Sequence, residues 1–354
     1  MIKFFRKIRK KLLMGNLPTG QAGKTSRPAF AAGRYFKYAI GEIALVMIGI
    51  LLALQVNTWN ENKKANTNFN KSLVNVFNDL EIDLVRVQDV NAYYKRIDTV
   101  VDNIINGNYS EADYRKNPGL GRVIFYAYEF QVTDMGYNVL MQKTENIPVG
   151  YEQLIAELNQ QYIKTKENVE GRYNGLYILR TSNHKRYALN YPWFSQRDSM
   201  NIEKSVQHYA NNTIFKNEAD LFKYFGPRDY GRSIQNFYGQ GLSLYLTLKT
   251  ILKDKSPLPR FFPKNAEGYD AIKNDYLGSY VSERGTNLII KKQNDFLFVS
   301  RDDLPNTSLI TMTSKDTFYN HRNGVTLTFK RDESNKVIGW SNINNTMHKV
   351  EDND

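Results

Sequence analysis

One stretch of this chain is long and apolar enough to cross a lipid bilayer, and it constrains the fold more than any other feature. Residues 39–56 read AIGEIALVMIGILLALQV. As a helix they would rise about 27 Å, close to the roughly 30 Å hydrocarbon thickness of a membrane. Glu42 and Gln55 flank the apolar core and would lie near the interfaces, where a carboxylate costs less than at the helix centre. The sequence therefore predicts a transmembrane helix over residues 39–58, containing Ala39, Ile43, Gly49, Ala53 and Val56.

A buried core helix and a cleavable signal peptide are the alternatives to this anchor. The 38 residues before the stretch are many for a signal peptide, and no small-residue cleavage pair follows Leu54. Aromatic residues of the kind that favour membrane interfaces flank both ends of the stretch, namely Tyr35, Phe36, Tyr38 and Trp59. We therefore expect an uncleaved signal anchor.

The charges before the stretch predict its orientation. Ten basic residues and no acidic residue precede it, so the positive-inside rule places the N-terminus in the cytoplasm and the chain after Trp59 across the membrane. The ten are Lys3, Arg6, Lys7, Arg9, Lys10, Lys11, Lys24, Arg27, Arg34 and Lys37.

The same residues account for nearly all of the net charge. The chain of 354 residues carries +12, from 48 basic and 36 acidic residues. Subtracting the ten basic residues leaves 38 against 36, which is not the electrostatic footprint of a nucleic-acid-binding protein. The chain has no cysteine, which excludes disulfides, a thiol nucleophile and thiolate metal sites.

Residues 1–38 are expected to form a basic cytoplasmic segment. In the first fourteen residues, MIKFFRKIRKKLLM, apolar side chains recur at helical spacing while basic side chains fill the other face. This pattern is typical of an amphipathic helix on an anionic inner leaflet, and a disordered basic tail is the alternative. Residues 15–33 are rich in small residues and are expected to be a flexible linker.

Residues 60–255 have the apolar period of helices. Nearly forty residues carry a one-sided apolar stripe, which needs partner helices. The stripe comprises Phe69, Leu73, Val76, Leu80, Leu84, Val87, Tyr94, Ile97, Val101 and Ile104. Further helices are expected at about 120–131, 134–143, 148–180, 198–212, 217–225 and 228–253, the last two separated by the breaker Gly226-Pro227. We expect an antiparallel bundle of about four long helices that continues the anchor helix.

An extended coiled-coil dimer is the alternative to the bundle. The apolar stripe has heptad-like spacing, and Gly49 and Ala53 form a small-x-x-x-small pattern of the kind that lets membrane helices approach closely. The sequence leaves open a homodimer through Gly49 and Ala53.

The composition changes after the helical region. Residues 256–268 contain three prolines, which predicts a stiff linker. In residues 269–354 the period shifts to strands, expected at 280–282, 287–291, 296–300, 308–313, 317–320, 324–330, 337–341 and 347–350. We expect a small antiparallel meander curled into a partial barrel, so the predicted fold class is α+β.

Two segments near the N-terminus resemble a known family. Residues 1–13 and 34–64, which include YFKYAIGEIALVMIGILLALQVNTWNENKK, resemble the opening of a family of uncharacterised single-pass membrane proteins from Bacteroidota. Residues 133–142, TDMGYNVLMQ, are similar more loosely. The resemblance implies a bacterial inner-membrane protein with one span and a helical periplasmic region. The family has no established activity, so the resemblance implies no catalytic residues.

The C-terminal region has a weaker resemblance. Leu277-Gly278-Ser279-Tyr280, Phe329-Lys330-Arg331-Asp332 and Val337-Ile338-Gly339-Trp340 are similar to the lipocalin-like β domain appended to some serine β-lactamase-like hydrolases. In those proteins this domain accompanies the catalytic domain. Ser182 and Lys185 have the spacing of the Ser-x-x-Lys motif, but the companion motifs are absent from the chain.

The sequence indicates neither catalytic, cofactor-binding nor metal-binding residues. The four histidines are far apart in sequence and are expected to be ordinary surface or edge residues. The segment GQAGKTS has Pro18 where a phosphate-binding loop requires glycine, so no nucleotide is expected. The aromatic residues Tyr187, Tyr191, Trp193 and Phe194 are candidates to line a pocket, with a packing role as the alternative.

Two functions from different classes follow. The preferred one is a non-catalytic anchored protein whose periplasmic region binds a small ligand or an unknown protein partner. The alternative is an extracytoplasmic hydrolase with a site assembled between the helical and β domains.

Overall fold

The computed structural model describes residues 29–142, 147–195, 198–301, 307–343 and 345–350, with side chains from Ala39 onward. Its contacts divide the chain into two compact units, residues 1–63 and 64–354. The predicted amphipathic helix of the first fourteen residues and the charges from Lys3 to Arg27 lie outside the described residues.

The described part of the first unit is helical throughout. It belongs to α1, Ala29–Ile105, the one described helix that is long and apolar enough to cross a membrane. Every residue from Ala39 to Lys63 is exposed. The apolar stretch is therefore not a buried core helix of a soluble domain, and its exposed Leu and Ile side chains fit a lipid environment.

The described part of the second unit contains the remainder of α1, from Lys64, and nine further helices. They are α2 Glu111–Lys116, α3 Met135–Met141, α4 Glu152–Asn159, α5 Lys166–Asn190, α6 Pro192–Ser195, α7 Ser199–Asn211, α8 Thr213–Lys223, α9 Gly231–Ile251 and α10 Tyr269–Ile272. Two π-helical segments, Gln160–Thr165 and Tyr224–Tyr230, join α4 to α5 and α8 to α9. Short 3-10 turns lie at Leu120–Phe125 and Lys273–Tyr276.

The apolar stripe of α1 is confirmed as the centre of the helical core. All ten predicted residues are buried, and Leu73, Val76, Leu80 and Leu84 are completely so. The same core includes side chains of α4, α5 and α9, among them Leu158 and Leu242. Helices with one apolar face can bury it only against such partners, which is why the period predicts the bundle.

The predicted helix break at Gly226-Pro227 is wrong. The chain remains helical from Thr213 to Ile251 because it widens into the π-helical segment Tyr224–Tyr230. The N–H of Gly231 donates to the carbonyl of Gly226, five residues earlier. Proline has no N–H to donate, and a local π bulge lets a helix pass such a residue without ending.

The helix predicted over 120–131 is also wrong beyond Phe125. Residues 126–131 have no helical structure, and tyrosine hydroxyls bond three of their backbone groups. The Tyr94 hydroxyl donates to the carbonyl of Tyr128 and accepts its N–H, both at 3.1 Å. The Tyr230 hydroxyl accepts the N–H of Phe130 at 2.8 Å. These long-range partners offer the backbone an alternative to helical bonding.

The β region is an antiparallel meander of eight described strands, which confirms the predicted strands and the α+β class. They are β1 Gly278–Ser282, β2 Asn287–Gln293, β3 Phe296–Arg301, β4 Thr307–Ser314, β5 Thr317–Asn320, β6 Val325–Arg331, β7 Val337–Ser341 and β8 Thr346–Lys349. The barrel is closed where a partial one was predicted, because β1 pairs with β8, with Val281 opposite His348. Its interior is filled by buried aromatic side chains, among them Tyr280, Phe318, Phe329 and Trp340.

The barrel packs directly against α9 within the second unit. Phe298 and Leu309, on β3 and β4, belong to the core of the helical region. Gly239 of α9 meets the turn after β5 so closely that a Cβ atom there would lie 2.3 Å from Arg322 Cα. Residues 256–268, predicted to be a stiff linker, contribute the buried side chains of Phe261 and Phe262 to the same core.

Candidate ligand-binding site

Two pockets lie side by side in the helical region, and Arg122 lines both. We call the larger one, of about 490 Å³, the basic pocket. It is lined by Arg122, Phe125, Tyr126, Tyr177, Arg180, Thr181, His184, Lys185 and Phe194. We call the smaller one, of about 270 Å³, the tryptophan pocket. It is lined by Tyr114, Pro118, Gly119, Arg122, Trp193, Asn201, Ile202, Ser205, Val206 and Tyr209.

Helical spacing explains one wall of the basic pocket. On α5, Arg180 and Thr181 lie three and four residues after Tyr177, and His184 and Lys185 lie four residues after each of them, which places all five on one face of the helix.

The opposite wall comes from the 3-10 turn Leu120–Phe125 and from α6. The turn approaches the helical core closely at Gly121, where a Cβ atom would lie 2.0 Å from the ring of Tyr209. Only glycine permits this approach, which fixes Arg122 and Phe125 beside the pocket. The α6 residue Phe194 completes the wall, and its ring lies 4.9 Å from that of Phe125.

The cationic side chains of the basic pocket rest on aromatic rings. The Arg122 guanidinium lies 5.6 Å from the ring centre of Phe194, and one of its N–H groups donates to the Phe194 carbonyl at 3.4 Å. The Arg180 guanidinium lies 5.0 Å from the ring centre of Tyr177. Cation–π contacts of this kind hold an arginine in place while leaving N–H groups available.

The charge on these side chains is not neutralised within the described part of the chain. Neither Arg122, Arg180 nor Lys185 forms an ion pair with a described carboxylate, and the basic pocket has no acidic residue in its lining. By contrast, Lys166 lies 2.6 Å from the carboxylate of Asp134, and the buried Lys223 pairs with Asp102.

The structure brings the four predicted aromatic residues together but gives them different positions. Tyr187 and Tyr191 have ring centres 4.9 Å apart, and Tyr191 and Trp193 are 5.1 Å apart. Trp193 lines the tryptophan pocket and Phe194 lines the basic pocket. Tyr187 is 1% exposed and lines neither, so its place is in the core behind the pockets.

Behind the aromatic cluster lies a buried polar group that the sequence does not indicate. The Tyr187 hydroxyl donates to Oε2 of Glu218 at 2.5 Å and lies 3.1 Å from Nε2 of His208. Arg186 pairs with the other oxygen of Glu218 at 2.6 Å. Burial lowers the pKa of His208 to about 4, so the imidazole is neutral at pH 7. Burial also raises the pKa of Glu218 and, together with the Glu218 hydrogen bond, that of Tyr187.

The expectation that each histidine is a surface or edge residue is wrong for His321. His321 is 8% exposed, its Nε2 lies 2.8 Å from the Thr311 hydroxyl, and its ring faces Tyr238. Among the described residues, no group of three or more His, Asp or Glu side chains is arranged to hold a metal ion.

The predicted membrane residues lie on exposed helix. Ala39, Ile43, Gly49, Ala53 and Val56 are all exposed, and a Cβ atom at Gly49 would meet nothing within 4 Å.

The residues predicted to flank the span are described only in part. Trp59 is 63% exposed, with the Lys63 ammonium 5.4 Å from its ring centre. Arg34, Tyr35, Phe36, Lys37 and Tyr38 lie in α1, and their side chains are outside the described part. The homodimer and the membrane orientation stay predictions.

These features define a class of protein: an α+β chain with one candidate membrane helix and a cationic, aromatic pocket in its helical region. Residues 42–130 match the profile of a family of unknown function, DUF6090. No curated protein and no solved structure matches the chain. The matched range runs from the candidate membrane helix to the pocket residues Arg122, Phe125 and Tyr126, and it does not include α5 or the barrel.

Proposed function

We propose that the protein is a membrane-anchored, non-catalytic binding protein whose basic pocket takes up a small ligand on the periplasmic side of a bacterial inner membrane. The basic pocket is the observation that carries this proposal. Its volume of about 490 Å³ is in the range of small-molecule sites. Such sites typically combine aromatic walls with a few convergent polar groups, and the basic pocket has this composition.

The alternative position for a site, between the helices and the barrel, receives less support. That contact is tightly filled, since the backbone at Arg322 lies against Gly239 and the Tyr238 ring packs on His321. Both pockets described above are lined only by residues of the helical region. The hydrolase alternative, which places its site between the helical and β domains, therefore has less support than ligand binding in the basic pocket.

The orientation belongs to the same proposal and rests on charge. Ten basic and no acidic residues precede the apolar stretch, so we place the N-terminus in the cytoplasm and residues 64–354 in the periplasm. The ligand would then reach the pocket from outside the inner membrane.

Full-length protein in lipid nanodiscs allows a test of binding against catalysis. Compounds from a metabolite library should raise the melting temperature, because a ligand that binds only the folded state stabilises it by mass action. The same samples should show no turnover of ester, peptide or glycoside substrates. Turnover that is abolished by substitutions at the helix–barrel contact would overturn the proposal in favour of the hydrolase. A protein partner that binds without any small ligand would also contradict it.

A further inference from the structure

We infer that the basic pocket binds an organic anion, in which a carboxylate or phosphate ester is joined to a flat apolar body. The inference rests on the proposed function and narrows it to one chemical class of ligand.

The positive charges in the pocket favour an anionic partner. Arg122, Arg180 and Lys185 line the same pocket, and none of them is paired with a carboxylate in the described chain. Like charges gathered in a partly enclosed site repel one another, and their repulsion is relieved when an anion enters. Several cations elsewhere in the fold are compensated internally, as Arg331 is by Asp275 and Asp316. The basic pocket lacks such compensation and is therefore complementary to an external negative charge.

The remaining walls require an apolar, flat ligand body. Four aromatic residues line the pocket: Phe125 and Phe194 are 5% and 7% exposed, while Tyr126 and Tyr177 are about half exposed. Aromatic side chains favour flat apolar partners through stacked and edge contacts. A small inorganic anion would leave these walls in contact with water, so the pocket is better matched by an anion with a ring system.

The arginine geometry supports recognition of oxygen atoms in particular. The Arg122 and Arg180 guanidinium groups lie 5.6 and 5.0 Å from the ring centres of Phe194 and Tyr177. A guanidinium held in this way keeps its planar fork of N–H donors, which matches the oxygen pairs of carboxylates and phosphates. Because the side chains are already ordered, less conformational entropy is lost when the ligand binds.

Calorimetric titration of the full-length protein in nanodiscs of zwitterionic lipid tests this inference. Naphthalene-2-carboxylate is the probe, naphthalene-2-carboxamide is the uncharged compound with the same ring system, and 2-naphthyl phosphate separates phosphate from carboxylate recognition. We expect at least one of the two anions to bind at least tenfold more tightly than the carboxamide, and its affinity to fall as salt is added. Inorganic phosphate alone should bind at least tenfold more weakly than the better naphthyl anion.

Variants then locate the site. Arg180→Gln and Lys185→Gln should each weaken anion binding about tenfold or more, whereas Arg228→Gln should leave it unchanged. Arg228 is an exposed arginine of the helical region that lines neither pocket. Unchanged melting temperatures of the unliganded variants would show that the folds are intact.

Three outcomes would overturn the inference: no binding of either anion, carboxamide binding as tight as the anions, or equal losses in all three variants. A different result is that the carboxamide binds to wild type and to Arg180→Gln equally but fails to bind to Phe194→Ala. That result would refute an anionic ligand and would leave the proposed ligand-binding function standing. Failure of that function itself is recognised separately, by turnover or by a library that yields no ligand.

Discussion

Asp83 and Thr133 are joined by two hydrogen bonds of 2.8 Å: the Thr133 N–H donates to Oδ2 of the buried carboxylate, and the Thr133 hydroxyl donates to Oδ1. One helical turn earlier on α1, Asp79 accepts the N–H of Gly136 at 2.7 Å. Asp134, at the start of α3, makes no side-chain cap of its own. Two carboxylates of α1 thus satisfy N–H groups at and just before the start of α3, which fixes this short helix on the helical core.

Replacing Asp83 should destabilise the second unit. In Asp83→Asn the amide oxygen can accept the Thr133 N–H, but the amide N–H₂ cannot accept the Thr133 hydroxyl, so one hydrogen bond to a charged acceptor is lost and the other is weakened. We expect a loss of about 1–3 kcal/mol in unfolding free energy at pH 7, measured by chemical denaturation of the solubilised protein. Asp89→Asn, at an exposed position of the same helix, is the matched control and should have no measurable effect.

Acid should destabilise the fold through His321. Burial, with a smaller contribution from the charge of Lys95, lowers the pKa of His321 to about 4, below the usual value of 6.5. The unfolded chain therefore binds a proton more readily than the folded one between these values. The stability contribution is complete above pH 6.5 and is lost as the pH falls through about 4.

Substituting His321 should reduce this pH dependence. In His321→Gln the melting temperature should fall less between pH 6.5 and 4 than in wild type. Part of the fall should remain, because burial also lowers the pKa of His208 to about 4. His348 is exposed, and His348→Gln should retain the full wild-type slope. A wild-type melting temperature that does not change over this range would contradict the account.

Protonation of Asp83 should have the opposite effect on stability to protonation of the histidines in the same pH range. Burial raises its pKa from 3.8 to about 6, outweighing the Thr133 hydrogen bonds that favour the ionised form. The folded state then holds this proton more tightly than the unfolded chain, so the contribution is full below about 4 and lost as the pH rises through 6. Asp83→Asn should consequently lose stability more steeply than wild type on acidification, and a shallower slope would refute the assigned direction.

Gly239 is expected to be indispensable for docking the barrel on α9. A methyl group there would lie 2.3 Å from Arg322 Cα and 2.5 Å from the carbonyl carbon of His321, both backbone atoms that cannot rotate away. Gly239→Ala should cost about 3 kcal/mol or more. Gly171→Ala on α5 provides the comparison, because a Cβ atom at that position would meet nothing within 4 Å, and it should stabilise by about 0.5–1 kcal/mol. Equal effects of the two changes would contradict the close packing.

Alkaline phosphatase fusions test the orientation. A fusion after Asp354 should be active and one after Lys11 inactive, because the enzyme is active only outside the cytoplasm. Activity from the Lys11 fusion alone would reverse the proposed topology.

The sequence predicts those parts of the fold that depend on local periodicity. The stripe from Phe69 to Ile104 and the eight strands follow from periods of 3.6 and 2, which short segments carry by themselves. The errors occur where distant groups decide the local structure. Tyr94 and Tyr230 hold residues 126–131 out of a helix, and the π-helical segment carries the chain past Pro227. Pairing of β1 with β8 closes the barrel in the same nonlocal way.

The candidate site is less predictable than the fold. The sequence indicates the aromatic residues around Trp193 as candidates to line a pocket, but it does not indicate the cations of the basic pocket. Arg122 lies on a 3-10 turn and Arg180 on α5, and only the tertiary structure brings them to one cavity. Their lack of acidic partners is equally invisible in the sequence. The one signal that could have found them is the recurrence of Tyr177, Arg180 and His184 on a single helical face.

The most direct test of the central claim is a parallel thermal-shift screen of wild-type and Arg122→Gln protein in nanodiscs, with Arg228→Gln as the control. Arg122 lines both pockets, so its substitution should weaken binding of an anion in either of them. The account predicts that anionic compounds raise the melting temperature of wild type and Arg228→Gln but not of Arg122→Gln. Equal shifts in all three proteins would place the ligand elsewhere and contradict the assignment of the basic pocket as the binding site.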